Sequence, residues 1–459
     1  MLQWTYSVNT NFLSDLLGSI AERGKQFLGF EESNPQRRAE DVVRLCATLV
    51  SGRGEASGAA IAQEVIEAYR TLDEAGRIEF FRAIRDTFGP DPDRLRHAVR
   101  QWQDKPDEAT SSAIHFASEP RRQELLRRLN RAPGGTATVV QMRADLLALR
   151  ARHPDLALVD QDFGHLLSSW FNRGFLVLRR IDWSTPANIL EKIIRYEAVH
   201  EIADWNDLRR RIDPADRRCY GFFHPALIDE PLIFVEVALT DDIPSDIESL
   251  LATGREIAPP SQARTAVFYS ISNCQSGLAG ISFGNFLIKQ VVDELRRDLP
   301  KIETFVTLSP VTGFRKWLGG QIGKLAPDEQ ALAGQLDEPG WRDDPVASER
   351  MRKLIEPLAA YFFLDARNRN SRPLDPVARF HLGNGARLER LNWLGDRSPK
   401  AIRESGGLMV NYLYDLDEII ENHEAFANEG VTAAPAAVKR LVRGDLRQRL
   451  QNGAGSVTE

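Results

Sequence analysis

His381 is the residue of this chain best suited to acid–base chemistry. It stands in 379–386, a segment whose glycines and amide are unusual inside a helix or strand. Special backbone angles, or backbone that must approach a ligand closely, would explain such a composition. An imidazole with its ordinary pKa of about 6.5 takes either protonation state near neutrality. His381 is therefore the first candidate for a functional site.

Ser309 is a second candidate, at the end of a predicted strand. Residues 304–308 are rich in β-branched and aromatic side chains, as strands are. Pro310 follows and cannot donate to the strand ladder. Ser309 therefore stands where strand ends commonly hold functional groups. These residues alone favour a serine that only bonds a turn amide, which is common before proline.

A glycine-containing turn lies in 270–285, between a predicted strand and an amphipathic helix. Backbone N–H groups at the positive end of a helix dipole suit a phosphate or pyrophosphate. The spacing of Gly277, Gly280 and Gly284 matches neither the Walker loop nor the dinucleotide fingerprint. The spacing alone favours an ordinary loop over an anion site.

The elements around these candidates differ between the two parts of the chain. Up to about residue 172 apolar residues recur at helical spacing, as in 139–149 and 166–171. Later, short strand-like runs such as 232–238 and 266–271 alternate with helical stripes. We predict an α+β chain, with an all-helical bundle over 1–172 and a mixed α/β domain over 173–459.

Composition excludes several classes of protein. Hydrophobic residues at 42% and charged residues at 27% are ordinary for a globular protein, and a net charge of −6 gives no basic footprint for nucleic acid. We find neither a signal-peptide pattern nor an apolar run long enough to span a bilayer. The three scattered cysteines show no metal-ligand or redox spacing, which favours a reducing compartment. We expect a cytoplasmic protein with no membrane or nucleic-acid partner and no metal site.

Taken together, these segments resemble the malonyl-CoA decarboxylase family. The specific motifs are Leu308-Ser309-Pro310, Phe380-His381-Leu382-x-Asn384-Gly385-Ala386 and Gly407-Leu408-Met409-x-Asn411-Tyr412. Further similarity lies in 178–200, 268–272, 277–289 and 374–378, so that the resemblance covers most of the chain from about residue 172. Ordered motifs of this length are far more specific than one glycine pattern.

The resemblance implies a helical domain for homo-oligomer contacts and a catalytic domain of the GNAT acetyltransferase type. It assigns the catalytic roles to Ser309 and His381. It also implies that the CoA pyrophosphate binds a loop formed by Ala279, Gly280, Ile281, Ser282, Phe283, Gly284 and Asn285. Animal members carry a carboxylate near the position of Ser282, so any role of that carboxylate cannot be transferred to this chain.

Three polar residues of the motifs are candidates for lining the site: Asn384, Asn411 and Tyr412. In a glycine-rich turn, asparagine more often serves left-handed backbone geometry. Direct involvement of these residues is therefore the weaker interpretation.

The implied substrate is malonyl-CoA, whose thioester carbonyl accepts the electron pair left by CO2 as an enolate. No organic cofactor or metal is therefore required in principle. The protein must orient the carboxylate, stabilise the enolate oxygen and protonate C2. We expect His381 to donate the proton and Ser309 to position the carboxylate and enolate. The reverse division, with a proton relayed through Ser309 or a water, stays open.

Two other functions remain as alternatives. A GNAT-type CoA-dependent acyltransferase would share the fold and the CoA loop, because fold does not decide function. A CoA-binding module without activity would share them too, although intact Ser309 and His381 argue against it. The joint presence of both motifs favours the decarboxylase.

Overall fold

The computed structural model describes residues 19, 38–51, 55–281, 287–338, 340–442 and 444–452. The described residues form two compact units that interleave along the chain. The first takes its residues from 1–177, 222–232 and 274–284, and the second from 178–221, 233–273 and 285–459. The predicted boundary after residue 172 stays a prediction.

The first unit is built mainly of amphipathic helices. Val42, Cys46 and Leu49 lie on one face of the helix Ala39–Val50 and are buried. Aspartates begin several helices by accepting backbone N–H groups, as Asp73 does from Gly76. The helices are α1 (Ala39–Val50), α2 (Glu55–Arg70), α3 (Glu74–Thr87), α4 (Pro92–Asp104), α5 (Glu108–Ser118), α6 (Arg121–Asn130), α7 (Gly135–Arg150) and α8 (Ala157–Trp170).

The later part of the chain forms an eight-stranded mixed sheet. The strands are β1 (Val177–Ile181), β2 (Arg217–Phe223), β3 (Pro231–Thr240), β4 (Thr265–Asn273), β5 (Thr304–Thr307), β6 (Ser309–Pro310), β7 (Arg387–Asn392) and β8 (Met409–Leu413). They follow the order β1-β2-β3-β4-β5-β8-β6, and β7 pairs with β8. β4 and β5 are parallel, whereas β8 runs antiparallel to β5, β6 and β7.

Helices connect and cover these strands. They are α9 (Ala187–Tyr196), α10 (Trp205–Ile212), α11 (Glu248–Leu251), α12 (Leu287–Asp298), α13 (Phe314–Gly319), α14 (Pro327–Gly334), α15 (Pro345–Leu364), α16 (Pro376–Gly383), α17 (Pro399–Ser405), α18 (Ile419–Glu429), α19 (Ala436–Lys439) and α20 (Gly444–Asn452). α12 lies in the crossover between the parallel strands β4 and β5, as a parallel connection requires. The α+β prediction, with helices first and a mixed sheet later, is confirmed.

The core of the second unit surrounds the strands that carry the site. Val267, Val306, Leu308 and Met409 belong to one buried cluster, and none is more than 1% exposed. The short strand β6 pairs Ser309 with Val410 of β8, at the edge of this cluster. Within the described ranges, no helix is both long and apolar enough to cross a membrane.

The turn after β4 is fixed by a buried arginine of the first unit. Arg143 donates to the carbonyl oxygens of Gly277 and Ala279 at 2.8 and 2.9 Å, and to a carboxylate oxygen of Asp160 at 2.9 Å. A Cβ on Gly277 would lie 1.9 Å from the carbonyl oxygen of Val140. Glycine is therefore required here by close backbone approach, and not by an unusual φ.

We predict that Gly277→Ala lowers the free energy of unfolding by about 1–3 kcal/mol, because backbone must move to admit the methyl group. Urea denaturation followed by circular dichroism measures the shift. Gly334→Ala is the matched control, since a Cβ at Gly334 meets nothing within 4 Å. Equal midpoints for the two variants would contradict the close approach.

Candidate active site

His381 lies in the last turn of α16, a helix whose two ends are set by its sequence. Asp375 caps the start by accepting from the backbone N–H of Ala378 at 2.6 Å, and Pro376 follows in the first turn. After the helix ends, Gly385 adopts φ +83°, and a Cβ there would lie 2.1 Å from the carbonyl oxygen of Ile419. These constraints hold His381 in a position where only 3% of its surface is exposed.

Two tyrosines of the β8 segment fix the imidazole ring. The hydroxyl of Tyr414 lies 2.7 Å from Nδ1 of His381. The ring of Tyr412 stacks on the imidazole, with centroids 4.6 Å apart and planes 24° apart. The ring therefore has one orientation, set by a stacking partner and a hydrogen bond.

The hydrogen bond from Tyr414 also assigns the tautomer of His381. Burial raises the pKa of Tyr414 well above its ordinary value, so the phenol keeps its proton. Among the described residues, the Tyr414 hydroxyl has no hydrogen-bond partner besides His381. We therefore infer that Tyr414 donates to Nδ1, which leaves the imidazole proton on Nε2.

Nε2 of His381 faces Ser309. The distance between Nε2 and the Ser309 Oγ is 3.5 Å, a loose contact of the kind that tightens when a substrate binds. The Ser309 hydroxyl donates to the Thr307 Oγ1 at 2.9 Å, and that oxygen also accepts from the backbone N–H of Tyr412 at 3.2 Å. The hydrogen bonds therefore run in one direction, from Tyr414 through His381 and Ser309 to Thr307.

Ser309 and His381 open onto a common cavity of about 150 Å³. Apolar side chains such as Phe268, Ile271 and Val377 line part of it. Polar lining comes from Thr312, Asp396, Lys400 and Glu404. The cavity offers an acid–base group and a hydroxyl beside apolar walls, with one lysine among its charged groups.

His381 is neutral in the free protein. Burial lowers its pKa to about 3, because the protein interior replaces water around the charged form. The expectation of either protonation state near neutrality therefore does not hold for the free site. At neutral pH the group facing the cavity is an uncharged N–H donor.

The other predicted site residues have different positions. Asn411 is fully buried, donates to the Thr307 carbonyl at 2.8 Å and accepts from Asn392 at 2.8 Å, so it supports the site from behind. Asn384 donates to the Phe380 carbonyl at the end of α16 and is not among the lining residues. Its φ of −93° excludes the left-handed geometry proposed for it, which Gly385 adopts instead.

The predicted CoA loop is described only in part. The backbone N–H groups of Ala279 and Ile281 donate to Ser276 and Leu278 within the turn, and Gly280 adopts φ +76°. These two N–H groups are thus already paired. The remaining members, Ser282, Phe283, Gly284 and Asn285, lie outside the described residues.

Sequence reasoning missed Tyr414 and Thr307. Each stands two residues from a residue that was singled out, Tyr412 and Ser309 respectively. Side chains at i and i+2 of an extended segment point to the same face. Alternation along the two strand ends was therefore the signal that could have found them.

Comparison with known proteins gives consistent results along the chain. A family model described as malonyl-CoA decarboxylase C-terminal domain matches residues 174–452, and one described as malonyl-CoA decarboxylase N-terminal domain matches residues 88–171. The mitochondrial malonyl-CoA decarboxylase of Anser anser anser is 38% identical over 402 residues, which are 79% of this chain and 79% of that protein. The mitochondrial enzyme of Rattus norvegicus is 33% identical over 421 residues, or 83% of this chain and 84% of that protein.

Two crystal structures of malonyl-CoA decarboxylases are similar over nearly their whole length. The structure from Rhodopseudomonas palustris is 56% identical with a TM-score of 0.86, covering 88% of this chain and 100% of that one. The structure from Agrobacterium vitis is 55% identical with a TM-score of 0.84, covering 87% and 99% of the respective chains.

We predict that His381 stays neutral from pH 8 down to about pH 4, because its pKa lies near 3. An unfolded histidine takes up a proton below about pH 6.5, so the stability contributed at this site falls as pH decreases from 6.5 towards 3. Nitrogen NMR of histidine-labelled protein measures the titration, and His381→Gln identifies its signals. A titration midpoint near 6.5 for these signals would contradict the burial argument.

Proposed function

Because the chain belongs to the malonyl-CoA decarboxylase family, we propose that it converts malonyl-CoA to acetyl-CoA and CO2 at His381 and Ser309. The observation that carries the site assignment is the position of the buried His381 ring, whose Nε2 lies 3.5 Å from the Ser309 hydroxyl at one cavity while Nδ1 contacts the Tyr414 hydroxyl. The substrate supplies its own electron sink, so the proposed chemistry is carried by side chains alone.

Ser309 positions the malonyl group. Its hydroxyl can rotate from Thr307 towards the cavity and hydrogen-bond the carboxylate or the thioester oxygen. The C–C bond breaks readily only when it stands perpendicular to the thioester plane, since its electrons must enter the carbonyl π system. This perpendicular conformation is rare in the free substrate. By holding the malonyl group in it, the protein prepares the bound substrate for loss of CO2.

His381 stabilises the enolate. As CO2 leaves, negative charge moves from the carboxylate to the thioester oxygen. An N–H fixed beside that oxygen stabilises the developing charge without reorganisation. The hydrogen bond from Tyr414 to Nδ1 keeps this N–H pointed into the cavity.

The same N–H can complete the reaction. The electron pair at C2 takes the proton from Nε2, which forms a C–H bond and leaves an imidazolate. A thioester enolate is a much stronger base than an imidazolate, so this transfer is downhill even from a neutral imidazole. Hydrogen bonding from Tyr414 stabilises the imidazolate until water restores the proton.

The remaining parts of the proposal concern CoA and assembly. We assign the CoA pyrophosphate to the loop 279–285, on the strength of the family resemblance and of the helix α12 that follows it.

The helical region is proposed to mediate a homo-oligomer in the cytoplasm. Exposed apolar side chains on α4 and α5, Trp102 and Phe116, support a contact surface there, and sedimentation velocity measures the assembly.

We predict that His381→Ala and Ser309→Ala each lower kcat for malonyl-CoA by about 10²–10⁴-fold, the usual value of a positioned acid or hydrogen-bond donor. The assay follows CO2 and acetyl-CoA without added cofactor or amine. His97→Ala, at an exposed histidine of the first unit, is the control. Acyl transfer that appears only when an amine is supplied would favour the acyltransferase alternative.

We predict that Tyr414→Phe lowers kcat by about 10–100-fold, because the variant loses a hydrogen bond of about 1–3 kcal/mol that favours the tautomer with its proton on Nε2. Tyr412→Phe is the matched control. Among the described residues, its hydroxyl is buried without a partner, so the change keeps the stacked ring and removes no hydrogen bond. Equal losses in both variants would mean that Tyr414 acts only by packing.

A further inference from the structure

A second cavity of the second unit is lined by four arginines. It has a volume of about 210 Å³ and shares no lining residue with the cavity of His381. Its charged lining consists of Asp207, Arg210, Arg211, Arg217 and Arg255. Four guanidinium groups around one small volume are unusual, because like charges repel and each must be desolvated.

The carboxylates nearby do not neutralise the positive charge of these arginines. Asp207 forms ion pairs with both Arg210 and Arg211, at 3.1 Å in each case. Asp216 forms ion pairs with both Arg255 and Arg217, and the pair with Arg255 is the closer one. Two carboxylates are therefore shared among four guanidinium groups.

A third carboxylate, Glu236, offsets only part of the remaining positive charge. It lies 3.4 Å from Arg211 and is fully buried. Burial raises its pKa to about 8, while the positive charge of Arg211 opposes that rise, so Glu236 carries only part of a negative charge at neutral pH. Four guanidinium groups, two aspartates and a partly charged Glu236 leave the cavity with an excess of between one and two positive charges at pH 7.

The two innermost arginines are rigid. Arg211 and Arg217 are 4% and 3% exposed. Arg217 donates to the backbone carbonyls of Asp216 and Leu250 at 3.0 and 2.6 Å, and Arg211 donates to those of His200 and Glu201 at 2.6 and 2.8 Å. Backbone acceptors hold these groups in place without neutralising them. Arg211 contributes charge rather than free donors, because each of its three nitrogens already donates to a protein acceptor. An anion entering the cavity would meet positive groups that are already fixed, and binding would cause little loss of side-chain freedom.

We propose that this cavity binds a small oxyanion with two negative charges, such as a phosphate or a short dicarboxylate. Planar guanidinium groups bind both chemistries through paired N–H donors. The volume suits a group of this size, because one water occupies about 30 Å³ in the liquid. Exposed Ala252 and Gly254 lie at the rim and leave a route of entry.

Isothermal titration of the full chain at low ionic strength tests the proposal, with inorganic phosphate and succinate as separate probes. We expect saturable binding of at least one probe at one site per chain. The tighter probe identifies the class of ligand. Absence of saturable binding for both probes would overturn the proposal.

Two variants decide whether the bound anion occupies this cavity. Ala252→Glu places a carboxylate at the rim and should weaken binding at least about 10-fold, as expected for a competing charge among guanidinium groups. Thr253→Glu adds the same charge at the next residue, which is exposed and does not line the cavity, and should change the affinity less than about 2-fold. Circular dichroism checks that both variants fold. Equal weakening in both would mean a non-specific charge effect and would overturn the site.

A CoA competition experiment separates this site from substrate binding. Binding of phosphate or succinate should be unchanged when CoA is added, because the proposed ligand is a free small anion. Displacement of the probe by CoA, together with a raised KM for malonyl-CoA in Ala252→Glu, would assign the arginines to a CoA phosphate and overturn the proposal. Since the binding assay needs no turnover, its result is independent of the decarboxylase assignment.

Discussion

The candidate active site depends on one buried hydrogen bond, from the Tyr414 hydroxyl to Nδ1 of His381. Burial removes the charge from the imidazole, and a neutral imidazole can exist as either of two tautomers. Only the tautomer with a proton on Nε2 presents a donor to Ser309 and the cavity. A phenol that keeps its proton selects this tautomer at a distance of 2.7 Å. The chemical character of the site is therefore set by a residue that is not among those lining the cavity.

The strand β8 and the residue after it align the whole arrangement. Val410 pairs with Ser309, and Asn411 binds the carbonyl of Thr307. The backbone N–H of Tyr412 donates to the Thr307 hydroxyl oxygen, and the ring of Tyr412 stacks on His381. The backbone N–H of Tyr414 donates to the carbonyl oxygen of Phe305. Successive residues of one segment thus hold the serine, its acceptor and the histidine. Small shifts of this strand would change all three contacts together, which explains why it lies in a core with almost no exposed surface.

Much of this organisation could be predicted from the sequence, and the limits have physical causes. Periodicity indicated helices followed by a mixed sheet, and the composition around His381 and Ser309 marked both residues before their contact was known. Tyr414 was missed although its spacing from Tyr412 indicated the same face. The neutrality of His381 was not predictable, because desolvation depends on side chains distant in sequence. The arginine cavity was hidden for the same reason: Arg210, Arg211, Arg217 and Arg255 look like ordinary surface cations until the fold brings them together.

A neutral donor suits the proposed reaction better than a cationic one. In bound malonyl-CoA the negative charge lies on the carboxylate, and in the transition state it moves to the thioester oxygen. A histidinium beside the carboxylate would stabilise the starting state through an ion pair and so retard the loss of CO2. Catalysis requires interactions that strengthen as the reaction proceeds. An uncharged N–H has little preference for the distant carboxylate charge, yet forms a stronger hydrogen bond as the enolate oxygen becomes negative. The burial that lowers the pKa of His381 is therefore part of the proposed chemistry, because it would direct stabilisation towards the enolate.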